Sequence, residues 1–176
     1  MAILPITLYP DPVLLQATEP VERIEDEIRQ LVQDMVDTMV HAPGIGLAAN
    51  QVGVSRRLCV IDLSAGEDPQ GLHVFINPEI KQATGSQVGE EGCLSFPDIT
   101  LEIERAYQAT VESLDLDGQR TTVTVEGLLA RAILHECEHL DGKTFLQNVS
   151  SLRRELVKKQ IRKRIKSGDW VEAAAT

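Results

Sequence analysis

Gly127-Leu-Leu-Ala-Arg-Ala-Ile-Leu-His-Glu-Cys-Glu-His-Leu140 decides how the rest of this chain is read. The stretch has no proline, is apolar on most of its faces and stops at Asp141-Gly142, the pattern of a helix buried at the centre of a small domain. It contains His135-Glu136-x-x-His139. At about 100° per residue, positions 135 and 139 lie about 40° apart, so two imidazoles on adjacent turns reach one metal ion. Glu136 stands beside them, able to handle the proton of an activated water. The structural alternative is a pair of core histidines satisfied by hydrogen bonds.

A catalytic site of this kind takes three protein ligands and leaves one position for water. Cys137 points about 200° from His135 on the helix and reads as a small core residue. Cys59 lies in the apolar run Leu58-Cys-Val-Ile61 and reads the same way, while His41 and His73 suit surface or capping roles. Cys93 differs, because Gly89-Glu-Glu-Gly-Cys-Leu-Ser-Phe-Pro97 lets backbone approach closely. It is the candidate third ligand, with a buried thiol or an unrelated nucleophile as alternatives. A third segment, Gly44-Ile-Gly-Leu-Ala-Ala-Asn-Gln51, is either a tightly packed loop or a backbone edge beside a ligand, with Gln51 donating to a developing oxyanion.

Outward from these segments, apolar residues from Ile24 to Val40 recur at helical steps, predicting a helix over 21–41. Arg57–Leu63 and His73–Ile76 read as strands. Alternation through Thr100–Leu114 and Thr121–Val125, with Asp115-Leu-Asp-Gly118 between, predicts an antiparallel hairpin. The expectation is an α+β single domain with antiparallel strands around the central helix, plus a C-terminal helix. Within it, 1–150 would be the catalytic part, 151–168 a basic helix packed on it, and 169–176 a tail.

Composition limits the function classes. Aromatics are 3% of the chain, too few for a surface that stacks on bases. No run of about twenty apolar residues is present, and the start lacks a basic leader, so the expected setting is the cytoplasm without membrane attachment. Three cysteines are too few, and odd in number, for a disulfide framework. The net charge of −10 is uneven: residues 1–150 hold 9 Lys/Arg against 24 Asp/Glu, a net −15, whereas 151–168 hold 8 against 1, a net +7. In that basic segment Val157, Ile161 and Ile165 form a stripe, which reads as a solvated docked helix or as an electrostatic contact surface.

The three segments together resemble the peptide deformylases, whose pattern is G-x-G-x-A-A-x-Q, then E-G-C-L-S, then H-E-x-x-H, in that order. The resemblance runs from the Leu4-to-Pro12 opening through the C-terminal helix. It implies metal ligation by Cys93, His135 and His139, with Glu136 as general acid and base. It implies an oxyanion held by Gln51 and the Leu94 backbone N–H, and substrate contacts from Ile45, Gly46, Glu91, Gly92 and Leu128. Removal of the formyl group from N-terminal formylmethionine of nascent polypeptides, with release of formate, is the implied activity. One divalent ion is implied, Fe2+ natively with Zn2+, Ni2+ or Co2+ able to serve, as is contact of the basic helix with ribosomal RNA; a monomer is expected. The competing readings are another H-E-x-x-H amidase or peptidase, and a catalytically silent binding protein of the same fold. Two positions depart from the usual pattern: Glu138 stands where Asp is common, and Cys137 where a larger apolar residue is common.

Overall fold

The computed structural model describes residues 2–68 and 70–171. In chain order its elements are α1 (Asp26–His41), β1 (Gly46–Ala48), β2 (Leu58–Asp62), β3 (Leu72–Thr84), β4 (Gln87–Glu91), β5 (Leu101–Arg105), β6 (Gln108–Leu114), β7 (Arg120–Glu126), α2 (Gly127–Leu140) and α3 (Ser151–Ser167), with short 3-10 turns between several of them. Five strands form one sheet in the order β1-β2-β3-β6-β7, and β4 pairs with β5 in a second. Every pairing is antiparallel. This is the expected α+β domain built around the helix that carries both histidines.

Helix α2 lies against the large sheet. Ala130, Ile133, Cys137 and Leu140 pack with Cys59, Ile61, Phe75, Ala109 and Val111, so both structural cysteines fall in the core as their neighbours in sequence require. A second cluster joins Met35 and Met39 of α1 to Leu47, Leu58, Val60 and Ile76. A third places Val157 and Ile161 of α3 on Phe96, Leu101, Ile103 and Phe145. The third member of the α3 stripe, Ile165, is 46% exposed, so the apolar contact ends a turn before the helix does.

Three boundaries differ from the sequence reading. Helix α1 begins at Asp26 and not at Val21, because Asn77 captures both polar groups of the Val21 backbone at 2.8 Å, N–H to Oδ1 and carbonyl to Nδ2. Those groups are then unavailable to a helix. Strand β3 runs past Asn77-Pro78 to Thr84 by means of register shifts, with Asn77 at φ 51. The run Thr100–Leu114 is two strands in different sheets. Leu101, Ile103 and Arg105 point inward, and after the break Ala109, Val111 and Ser113 point inward again. The alternation keeps its phase across the break, so a period of two cannot reveal it.

The hairpin turn at Asp115–Gly118 is closed by the Asp115 carboxylate, which accepts from the Asp117 and Gln119 N–H groups. Ser150 caps α3 by accepting from Arg153 N–H at 3.2 Å, and Gly168 ends the helix at φ 79. The start of the tail folds back, with Trp170 Nε1 donating to the Tyr9 carbonyl at 2.6 Å; residues 172–176 lie outside the described residues. Among the described residues no helix is long and apolar enough to cross a membrane.

Candidate metal centre and substrate cavity

Adjacent turns of α2 place His135 Nε2 and His139 Nε2 3.2 Å apart, and the turn after β4 brings Cys93 Sγ to 3.2 Å from His139 Nε2. One ligand atom from each of the three residues lies within 4.8 Å of the others. Glu91 Oε2 sits 2.9 Å from His135 Nδ1. A carboxylate accepts only, so Nδ1 carries the proton and Nε2 turns its lone pair to the cluster.

The two histidines are driven in opposite directions. Burial opposes a charged His135, yet its hydrogen bonds with Cys93 and Glu91 raise its hold on a proton well above the ordinary histidine range. His139 is pushed the opposite way, by burial first and by the neighbouring His135 second. A thiolate with two neutral imidazoles leaves a divalent ion one net positive charge, and the converging sulfur and nitrogen donors fit such an ion.

Glu136 is 4% exposed, and burial pushes its carboxyl up to about 7. Its Oε2 is buried and has no partner among the described residues, as is true of His139 Nδ1. Gly46 is required beside it, since a Cβ there would run into Glu136 Oε1. Gln51 is anchored by Oε1, which accepts from Ala48 N–H at 2.9 Å; its Nε2 donates to Ser95 Oγ at 3.2 Å and lies 3.5 Å from Cys93 Sγ. The Gln51 amide therefore presents N–H toward the cluster.

These groups open on a cavity of about 370 Å³ whose lining includes Ile45, Gly46, Gln51, Glu91, Gly92, Cys93, Leu94, Leu128, His135 and Glu136. Of the residues the family resemblance implies for ligation, catalysis and substrate contact, all but His139 line that cavity. Strand β4 has β5 on one side and no second strand in its sheet, which leaves an edge beside the cavity.

Sequence reasoning missed a buried ion cluster behind the ligands. The Glu91 side chain bonds Arg105 Nη2 at 2.9 Å and Arg131 Nη1 at 2.8 Å in addition to His135. Burial alone would raise the Glu91 carboxyl, but hydrogen bonds from His135 and Arg105 outweigh it and hold it down at about 2. Arg131 also donates to the Ile103 carbonyl at 3.0 Å, and a Cβ on Gly89 would sit 3.2 Å from its guanidinium. The signal was present: Arg105 occupies an inward slot of an alternating strand, and Arg131 sits between two alanines on the apolar helix.

The polypeptide deformylase family model matches residues 3–155. A peptide deformylase of Acidobacterium capsulatum is 51% identical over 170 residues, covering 97% of this chain and 100% of that protein. The crystal structure of a peptide deformylase from Legionella pneumophila superposes with a TM-score of 0.86 at 40% identity, covering 94% of this chain and 98% of that one. A peptide deformylase from Ehrlichia chaffeensis, solved in complex with actinonin, gives a TM-score of 0.85 at 34% identity over 93% of this chain and 98% of that one. A match of this extent, joined to a thiol and two imidazoles that meet at one point, makes the chain a member of the polypeptide deformylase family.

Proposed function

We propose that this chain hydrolyses the formyl amide of N-terminal formylmethionine on nascent polypeptides, with Cys93, His135 and His139 holding one divalent cation. The observation that carries the reading is the convergence of Cys93 Sγ with the two Nε2 atoms beside a buried, unpartnered Glu136 oxygen. When bound, the cation would supply Lewis-acid polarisation of the formyl carbonyl and a lowered pKa for a water. Ferrous iron is the ion the family resemblance implies, and Zn2+, Ni2+ and Co2+ suit the same donors.

The protein's own groups do the rest. Glu136 takes a proton from the attacking water and delivers it to the departing amine nitrogen, for which a carboxyl titrating near neutrality is well placed. Gln51 Nε2 and the Leu94 N–H stabilise the oxygen of the formyl group as negative charge develops on it. Ile45 and Leu128, with the flank of His135, take the methionine side chain. Gly46 and the Glu91-Gly92 backbone pair with the extended peptide, and the free edge of β4 supports that arrangement. Formate and a free N-terminus result.

We take residues 1–150 as the catalytic unit and 151–168 as a helix docked on it, the whole acting as a cytoplasmic monomer. All of these groups come from one chain, and the unpaired Cys59, Cys93 and Cys137 suit a reducing compartment. The basic helix would meet ribosomal RNA through Arg153, Lys159, Arg162, Lys163 and Lys166, which are exposed. Arg154 and Arg164 are instead tied to carbonyls of the body.

The test is formate release from a formyl-methionyl tripeptide by anaerobically prepared protein, beside the acetyl-methionyl analogue and an internal peptide bond. Release from the formyl peptide alone is expected. Cleavage of internal bonds would favour an H-E-x-x-H peptidase, and binding without turnover a silent relative.

A further inference from the structure

Glu91 is one link in a chain of charges that runs from His135 out to the surface. The Arg105 side chain, 4% exposed, bonds Glu91 along one edge of its guanidinium and Glu138 along the other, at 3.0 Å from Nη1 to Oε1 and 3.1 Å from Nη2 to Oε2. Both Glu138 oxygens then accept from Asn148 Nδ2, at 3.0 and 2.9 Å, in the turn Phe145–Asn148 that precedes α3. Neither Glu138 nor Asn148 lines the substrate cavity. An aspartate at 138 would end about 1.5 Å short on the same backbone.

We propose that Glu138 and Asn148 are positioning residues for His135, acting through Arg105 and Glu91, and that they set how slowly the cation leaves. The proposal rests on the cation-binding reading above. Arg105 is desolvated and charged in every accessible pH range, so both edges of its fork need acceptors. With Glu138 and Asn148 in place the fork is fixed, and Glu91 Oε2 is shared between Arg105 Nη2 and His135 Nδ1, each at 2.9 Å. Without them Arg105 has one carboxylate left and draws on it more heavily, at the expense of the His135 contact. The histidine ring then loses the constraint that aims Nε2 at the cation.

The test follows loss of Co2+ from the full chain. Co2+-loaded protein is challenged with excess chelator, and decay of the thiolate-to-cobalt absorption is recorded for the parent, Glu138→Gln, Glu138→Asp, Asn148→Ala and the control Val157→Ala. The control weakens the α3 contact without touching the ion chain. Each protein is measured at the same interval below its own unfolding midpoint, which separates positioning from general destabilisation. Glu138→Gln should lose Co2+ about tenfold faster than the parent. Asn148→Ala should lose it a few-fold faster, Glu138→Asp at a rate between Glu138→Gln and the parent, and Val157→Ala at the parental rate. Should Glu138→Gln fail to fold, the milder Asn148→Ala carries the comparison. Parental rates in Glu138→Gln and Asn148→Ala, or rates no faster than Val157→Ala, overturn the proposal. A parent that takes up no Co2+ overturns the underlying reading as well, a failure distinct from the first.

Discussion

Helices α2 and α3 are of similar length, at 14 and 17 residues, yet they handle charge in opposite ways. Helix α2 buries Arg131, His135, Glu136 and His139 among its apolar residues, and helix α3 buries only Val157 and Ile161. In α2 Arg131 and His135 therefore each need a partner at a set distance, because desolvation leaves no substitute. In α3 Arg153, Lys159, Arg162, Lys163 and Lys166 are exposed to solvent. One helix is specified by geometry and the other by net charge. Substitutions should fall into the same two classes.

The largest effect is expected at Glu136. Glu136→Gln removes the proton carrier with little change in shape, and kcat for formate release should fall by about 10²- to 10⁴-fold. Elemental analysis should show cation content unchanged; loss of the cation instead would make Glu136 structural. Next comes Gln51→Ala, expected to lower kcat by about 10²- to 10³-fold if its Nε2 meets the developing oxyanion. A rise in KM alone would assign Gln51 to ground-state binding.

A stability measurement sharpens the comparison further. Glu91→Ala leaves Arg105 and Arg131 buried without their shared carboxylate and should cost about 3 to 5 kcal/mol in denaturant unfolding. Replacing Lys159, Arg162, Lys163 and Lys166 together by Gln should change unfolding by only about 0.5 kcal/mol per site or less. That α3 variant should keep full activity on a tripeptide and release from ribosomes at lower salt than the parent in co-sedimentation. Equal salt dependence would remove RNA contact from the account. Removing α3 outright is a poorer test, since it would uncover Phe96 and Phe145.

How far the sequence could be read follows the same division. Local patterns were sufficient for α2, for the hairpin around Asp115–Gly118 and for α3. Two short motifs were sufficient to name Cys93, His135 and His139, whose side-chain donor atoms converge. Features created by distant residues were not legible. The start of α1 is set by Asn77, 56 residues after Val21, and the break between β5 and β6 is hidden by an alternation that keeps its phase. The ion cluster joins Glu91, Arg105, Arg131 and Glu138 from three separate elements, and no spacing rule relates them. Arg105 in an inward slot and Arg131 between two alanines were the local hints, because a buried guanidinium requires a carboxylate somewhere in the fold.

X-ray absorption on Zn2+-loaded protein decides whether Cys93 and the two histidines hold the ion, since it counts donor types around the ion without reference to activity. Ligation by Cys93, His135 and His139 requires one sulfur scatterer at about 2.3 Å and nitrogen scatterers, including two imidazoles, at about 2.0 to 2.1 Å, with the sulfur lost in Cys93→Ser. A shell of nitrogen and oxygen alone in the parent, or a sulfur that survives Cys93→Ser, would contradict it.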